Sequence, residues 1–189
     1  MEPEVGDNTP VFGYDYRGSG KLFNNTDGAD LGESGLYGLW FHAYSIHVIQ
    51  MTSANAKPFV IKNCRFTASG WYMHNTDKTI NAIDAAVDIE DCEFIGCANT
   101  VFCSTSSLDS PVTTNVVKGC RFYTCDWNWN CSPVASGVAA CNNAKLILRD
   151  SVFDKCRNSS NGGDTRSGAV LLYGMQDAQI ENCVFRRSM

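Results

Sequence analysis

Ten cysteines are the largest set of chemically capable side chains in this 189-residue sequence. Thiols at that density serve either as a disulfide framework or as small buried hydrophobes. No Cys-x-x-Cys pair occurs, so zinc-ribbon and thioredoxin chemistry lack their usual arrangement. The three histidines, His42, His47 and His74, fall in separate segments, where surface or cap roles are expected. Asp84, Asp88 and Glu90 lie close together, the type of carboxylate group that holds calcium beside a basic residue. Asp88 and Glu90 nevertheless read as outward, solvated positions. Asn-Thr-Asp occurs twice, at Asn25-Thr26-Asp27 and Asn75-Thr76-Asp77, where turn residues between strands account for it. No Gly-x-Ser-x-Gly elbow or phosphate-cradling loop is present.

The elements that must position these groups come from an internal repeat. Ile61-Lys62-Asn63-Cys64-Arg65-Phe66 aligns with Ile89-Glu90-Asp91-Cys92-Glu93-Phe94 and Val117-Lys118-Gly119-Cys120-Arg121-Phe122. Two further copies are Leu148-Arg149-Asp150-Ser151-Val152-Phe153 and Ile180-Glu181-Asn182-Cys183-Val184-Phe185. The phenylalanines are 28, 28, 31 and 32 residues apart. The third position is Asn, Asp or Gly, residue types that tolerate a left-handed backbone and bend a strand without a loop. Apolar and polar residues alternate on either side of that bend, which is the two-residue period of half-buried strands. Each repeat therefore reads as strand, bend, strand. Stacking identical repeats makes the strands parallel and buries Phe on Phe.

The outward positions support the same register. Lys62, Glu90 and Lys118 alternate in sign, as do Arg65, Glu93 and Arg121. Rungs about 4.8 Å apart place opposite charges side by side, each pair worth a few tenths of a kcal/mol. The cysteines form two columns. One holds Cys64, Cys92, Cys120 and Cys183 with Ser151 in the fourth rung; the other holds Cys97, Cys125 and Cys156, with Ser69 and Ser188 outside them. Serine neither bridges nor binds soft metals, so packing with mostly free thiols is the better account. Cys103, Cys131 and Cys141 fit neither column.

Composition narrows the function classes. The chain is 44% hydrophobic and 19% charged with a net charge of −5, and no basic stripe marks a nucleic-acid partner. No run of about 18 apolar residues suggests membrane insertion. The acidic start, Met1-Glu2-Pro3-Glu4-Val5, is not a secretory signal. The length suits one domain.

With these residues the sequence resembles the right-handed β-helix repeats of the pectin-lyase-like superfamily. It is most similar to the polymorphic outer-membrane protein type, whose repeats carry Gly-Gly-Ala-Ile and Phe-x-x-Asn motifs. Ser167-Gly168-Ala169-Val170 precedes the 180–185 copy, and Ser136-Gly137-Val138-Ala139 precedes the 148–153 copy. Phe-x-x-Asn is replaced here by Phe-x-x-Cys or Phe-x-x-Ser, and the Gly-Ala element is not clear in the earlier repeats. The resemblance implies an all-β, right-handed parallel β-helix of about five to six rungs. Residues 1–45, rich in Gly and aromatics, are expected to form an N-terminal cap and residues 46–189 the repeats.

Relatives of that fold include polysaccharide lyases and hydrolases. Polygalacturonases carry Asn-Thr-Asp followed by Asp-Asp, Gly-His-Gly and Arg-Ile-Lys. Neither Asn-Thr-Asp here is so followed, and inverting hydrolysis needs paired carboxylates spaced for a water. Were the chain an enzyme, Asp77 and Asp126 would be the carboxylates to examine, with calcium only for a lyase. The binding reading has more material. Gly70-Trp71-Tyr72-Met73-His74-Asn75 follows Ser69, and Asp126-Trp127-Asn128-Trp129-Asn130 follows Cys125. Both leave the coil at one point of their rungs, so they are expected on one side, two rungs apart. Trp71, Tyr72, Trp127, Asn128 and Trp129 combine aromatic faces with amides, which suits sugar rings. The alternative is that the tryptophans fold back as a lid. The expected protein is thus a binding or adhesive domain for a glycan or host surface, extracellular, cell-surface or virion-associated, with no cofactor or metal. A carbohydrate-active enzyme and a structural spacer are the alternatives. The repeat motif at the C-terminal end suggests pairing there, with another copy or in a longer parent chain.

Overall fold

The computed structural model describes residues 11–13, 22–25, 34–42, 47–52, 57–69, 78–126, 134–157, 166–175 and 177–188. Every strand pair among them is parallel, and the strands fall into three long sheets. One turn of the coil runs through Ile80–Ile83 in sheet 1, Val87–Glu90 in sheet 2 and Glu93–Ile95 in sheet 3. The next turn stacks Val101–Ser104, Thr113–Lys118 and Arg121–Tyr123 on them in the same order. A small fourth sheet pairs Val134–Ala135 with Arg166–Ser167.

The bend between sheets 2 and 3 is where the repeat placed it. Asn63, Asp91, Gly119, Asp150 and Asn182 all have φ between 52° and 65°. A second bend follows each sheet-3 strand, at Ala68, Gly96, Thr124, Lys155 and Arg187, with φ between 50° and 61°. Four of those five are not residue types that favour the left-handed region, so composition gave no sign of it.

Inside the coil, Phe41, Phe66, Phe94, Phe122, Phe153 and Phe185 form one stack. Successive centroids are 4.5–4.9 Å apart and interplanar angles do not exceed 20°. Leu36, Ile61, Ile89, Val117, Leu148 and Ile180 form a second inward column in sheet 2. Burying one such side chain contributes about 2 kcal/mol. In the last turn, the inward-facing Leu172, Ile180 and Phe185 are 42–47% exposed.

The repeat extends further back than residue 46. Gly35–Tyr37 pairs with the 59–62 strand and Trp40–His42 with the 65–67 strand, so Leu36 aligns with Ile61 and Phe41 with Phe66. Gly38 supplies the bend at φ +64°. Leu36-Tyr37-Gly38-Leu39-Trp40-Phe41 is therefore another copy of the motif. Residues 35–42 belong to the coil, where a cap was expected. Tyr37, Gly38 and Leu39 hid the copy, because no Cys or Asn marks it.

Gly137 gives the Ser-Gly-Val-Ala element a steric reason. A Cβ there would stand 2.4 Å from the Ala169 carbonyl oxygen and 2.7 Å from the Phe153 ring. Only a glycine lets the chain pass between the next rung's backbone and the aromatic stack.

Candidate functional site

The edge between sheets 3 and 1 is built from the second cysteine column. Ser69, Cys97, Cys125, Cys156 and Ser188 follow the second bend in successive turns. Their thiols and hydroxyls donate to backbone carbonyls: Cys97 Sγ to Phe66 O at 3.4 Å, Cys125 Sγ to Phe94 O at 3.5 Å, Ser69 Oγ to Thr67 O at 3.1 Å. The first column behaves alike, with Cys92 Sγ donating to Glu90 O at 3.2 Å and Ser151 Oγ to Arg149 O at 2.8 Å. Cysteine and serine interchange because both are small donors for carbonyls that the bends turn inward.

No described cysteine is in a disulfide, and all but Cys183 are buried. Burial pushes the Cys103 and Cys141 thiols up to about 12. Burial likewise raises Cys97, and the hydrogen bond with Cys125 raises Cys156. At neutral pH these are protonated thiols, without nucleophilic or metal-ligating character. Cys131 lies outside the described residues.

Long connections depart from this edge. Segment 70–77 leads from sheet 3 to sheet 1, and segments 127–133 and 158–165 lead from sheet 3 to the small fourth sheet that precedes sheet 1, whereas Cys97 reaches Val101 in four residues. The roots are stacked: Ala98 N donates to Ser69 O at 2.8 Å, Asp126 N to Cys97 O at 2.9 Å and Arg157 N to Cys125 O at 2.9 Å. Ser69 and Cys125 thus stand on one edge, two turns apart, as the sequence suggested. Trp71, Tyr72, Asp77, Trp127, Asn128 and Trp129 lie outside the described residues. Asp126 is half-buried at a loop root, held through its backbone by Cys97 on one side and Asn99 on the other.

Sheet 1 turns an unusual outer face toward the same edge. Its outward row runs Asn24, Gln50, Asn81, Phe102, Ala139, Leu171. Asn81 and Phe102 are buried although they point away from the coil. Phe102 packs with Ala135, Ala139 and Cys141, and the Lys78 ammonium sits 4.5 Å above its ring. Gln50 Oε1 and Asn81 Oδ1, neighbours in register, have no hydrogen-bond partner among the described residues. Sequence reasoning did not single these amides out, although Ile49-Gln50-Met51 and Ile80-Asn81-Ala82 carry the alternation that turns them away from the coil.

The remaining candidates separate. His47, expected in a surface or cap role, is buried, with Nδ1 3.1 Å from the Lys78 amide, which can donate to it. His42 is exposed on sheet 3, with Nδ1 2.8 Å from the Thr67 hydroxyl. Asp84 sits at a bend, its carboxylate accepting from Ser106 N at 2.8 Å. Glu90 is paired with Lys62 on sheet 2. Burial raises the carboxyl of Asp88. Among the described residues no group of three or more His, Cys, Asp or Glu is placed to hold a metal. No described helix is long and apolar enough to cross a membrane.

An all-parallel three-sheet coil with an inward phenylalanine stack defines a parallel β-solenoid. The chain belongs to the right-handed β-helix family: the family model described as "Right handed beta helix region" matches residues 47–188. That match is to the family as a whole and does not reach the narrower polymorphic outer-membrane type. Neither a curated protein nor a solved structure matches the chain.

Proposed function

We propose that this domain is a binding or adhesive module that recognises a glycan or cell surface through the connections at the sheet 3–sheet 1 edge. The observation that carries the reading is the stacking of the roots of three long connections on one edge of the coil. Long loops on a rigid scaffold are where binding residues gather. Trp71, Tyr72, Trp127, Asn128 and Trp129 supply the aromatic and amide contacts in this reading.

The test is incubation with a panel of neutral and acidic polysaccharides, with and without calcium, scored for retention and for new chain ends by mass spectrometry. Retention of an intact glycan, lost in Trp71→Ala or Trp127→Ala, is the expected result. New chain ends would instead make this an enzyme and direct attention to Asp77 and Asp126.

A second reading, a structural spacer, is favoured by the apolar cover on sheet 1, where Phe102, Ala139 and Cys141 are buried outside the coil. It predicts no retention of any glycan and a lower melting temperature in Trp127→Ala.

A further inference from the structure

Arg186 and Arg187 adjoin in the sequence, and the register of sheet 3 brings further cations to them from about thirty and sixty positions away. Tyr123, Asp154 and Arg186 are direct neighbours on its outer face. Arg121 stands two residues before Tyr123 on the same face, its side chain 74% exposed. Lys155 lies over the Tyr123 ring at 5.4 Å and donates to its hydroxyl at 3.3 Å.

Asp154 organises the rest. Its carboxylate is buried, whereas Arg186 and Arg187, which both bind it, are 59% and 58% exposed. Arg186 Nε lies 3.2 Å from Oδ2, and Arg187 Nε donates to Oδ1 at 2.8 Å while its Nη2 donates to Oδ2. Each guanidinium carries five N–H donors, so most remain directed at solvent. One buried carboxylate therefore holds two guanidiniums in fixed positions, leaving a local positive excess on a chain of net charge −5. On the other side of Arg121, Glu93 is shared between Arg121 at 3.6 Å and Arg65 at 3.9 Å.

We propose that Arg121, Lys155, Arg186 and Arg187 form a binding face for a polyanionic glycan bearing repeated carboxylate or sulfate groups, with the Tyr123 ring as its apolar rest. The proposal goes beyond the loop-edge reading, since none of these residues lies in the connecting segments. Pinned arginines suit oxyanions because their geometry is set before the ligand arrives. The cations occupy three successive turns, a span of roughly 10 Å. That accommodates a short run of charged sugars and falls short of the long phosphate track that nucleic acid requires.

The experiment measures equilibrium binding of heparin, polygalacturonate, dextran and duplex DNA at low and high salt. Heparin or polygalacturonate is expected to bind, more weakly as salt rises, while dextran does not bind at this face. The double variant Arg121→Gln/Lys155→Gln keeps both arginines on Asp154; it is expected to lose about tenfold in affinity with an unchanged melting temperature. Trp127→Ala should leave polyanion binding intact. Absence of polyanion binding, equal affinity in the double variant, or DNA bound more tightly than both charged glycans would overturn the proposal. Loss of polyanion binding in Trp127→Ala alone would likewise overturn it, returning the ligand to the loop edge.

Discussion

The backbone amide of Cys120 donates to the Ser151 hydroxyl at 3.1 Å, and in the equivalent place the Cys64 amide donates to the Cys92 sulfur at 3.4 Å. Oxygen and sulfur therefore do the same work at this bend. Each accepts from the neighbouring turn and donates to a carbonyl of its own turn, and the Cys92 thiol also points to the Ile61 carbonyl of the preceding one. The column is a hydrogen-bonding device as much as a packing one.

Cys92→Ser should accordingly change stability by less than about 1 kcal/mol, because both bonds can be remade. Cys92→Ala should cost about 1–3 kcal/mol, since it leaves the Cys64 N–H buried without a partner. Urea unfolding of the two variants separates the cases. An equal loss in both would show that the position requires the sulfur's volume alone.

The phenylalanine stack predicts a gradient along the coil. Phe94 has rings at 4.9 and 4.8 Å on its two sides and is fully buried, so Phe94→Ala should cost about 3–5 kcal/mol. Among the described residues Phe185 stacks on one ring, that of Phe153, and it is 47% exposed; its loss should cost about 1–2 kcal/mol. Similar losses at both positions, measured by denaturant unfolding, would contradict the stack as a cumulative core.

How much of this was legible follows from what each residue needs. Asn63 and Asp91 announced the first bend because their types match its backbone. Thr124 and Lys155 concealed the second, since their turns are imposed by the strands on either side. Phe66 through Phe185 fixed the register, and Phe41 escaped only because its copy lacks the cysteine. The candidate site was less readable. Ser69 and Cys125 gave the edge on which the loops stand, but Gln50 and Asn81 meet through pairing across 31 residues, and the cations around Asp154 likewise. Local pattern specifies which way a side chain points; which other side chain it meets depends on rung lengths that vary.

Strained bends offer a stabilising substitution. Thr124, a β-branched residue, is held at φ 51°. Thr124→Gly should stabilise the fold by about 1 kcal/mol, the usual left-handed penalty less the added chain entropy. Gly137→Ala should do the reverse, losing about 1–3 kcal/mol as its Cβ meets the Ala169 carbonyl and the Phe153 ring. Thermal melts of both variants, shifting in opposite directions, are the expected outcome; a neutral Gly137→Ala would mean that the two turns can separate without cost.

The buried carboxylate of Asp154 predicts a specific acid response. Its hydrogen bond from Arg187, with the charges of both arginines, holds its pKa below the usual carboxylate range. A depressed folded-state value means that the charged form stabilises the fold above the unfolded-state value of about 3.9, and that this contribution fades as pH falls through the lower folded-state value. Asp154→Asn should therefore melt below the wild type at pH 7, where the wild-type carboxylate is charged. Below about pH 4 the gap should close, because a protonated Asp154 and an asparagine are nearly equivalent partners for Arg186 and Arg187. A gap that stays constant from neutral to acid pH would show that the charge on Asp154 contributes nothing, and that its side chain matters only as a shape beneath the two guanidiniums.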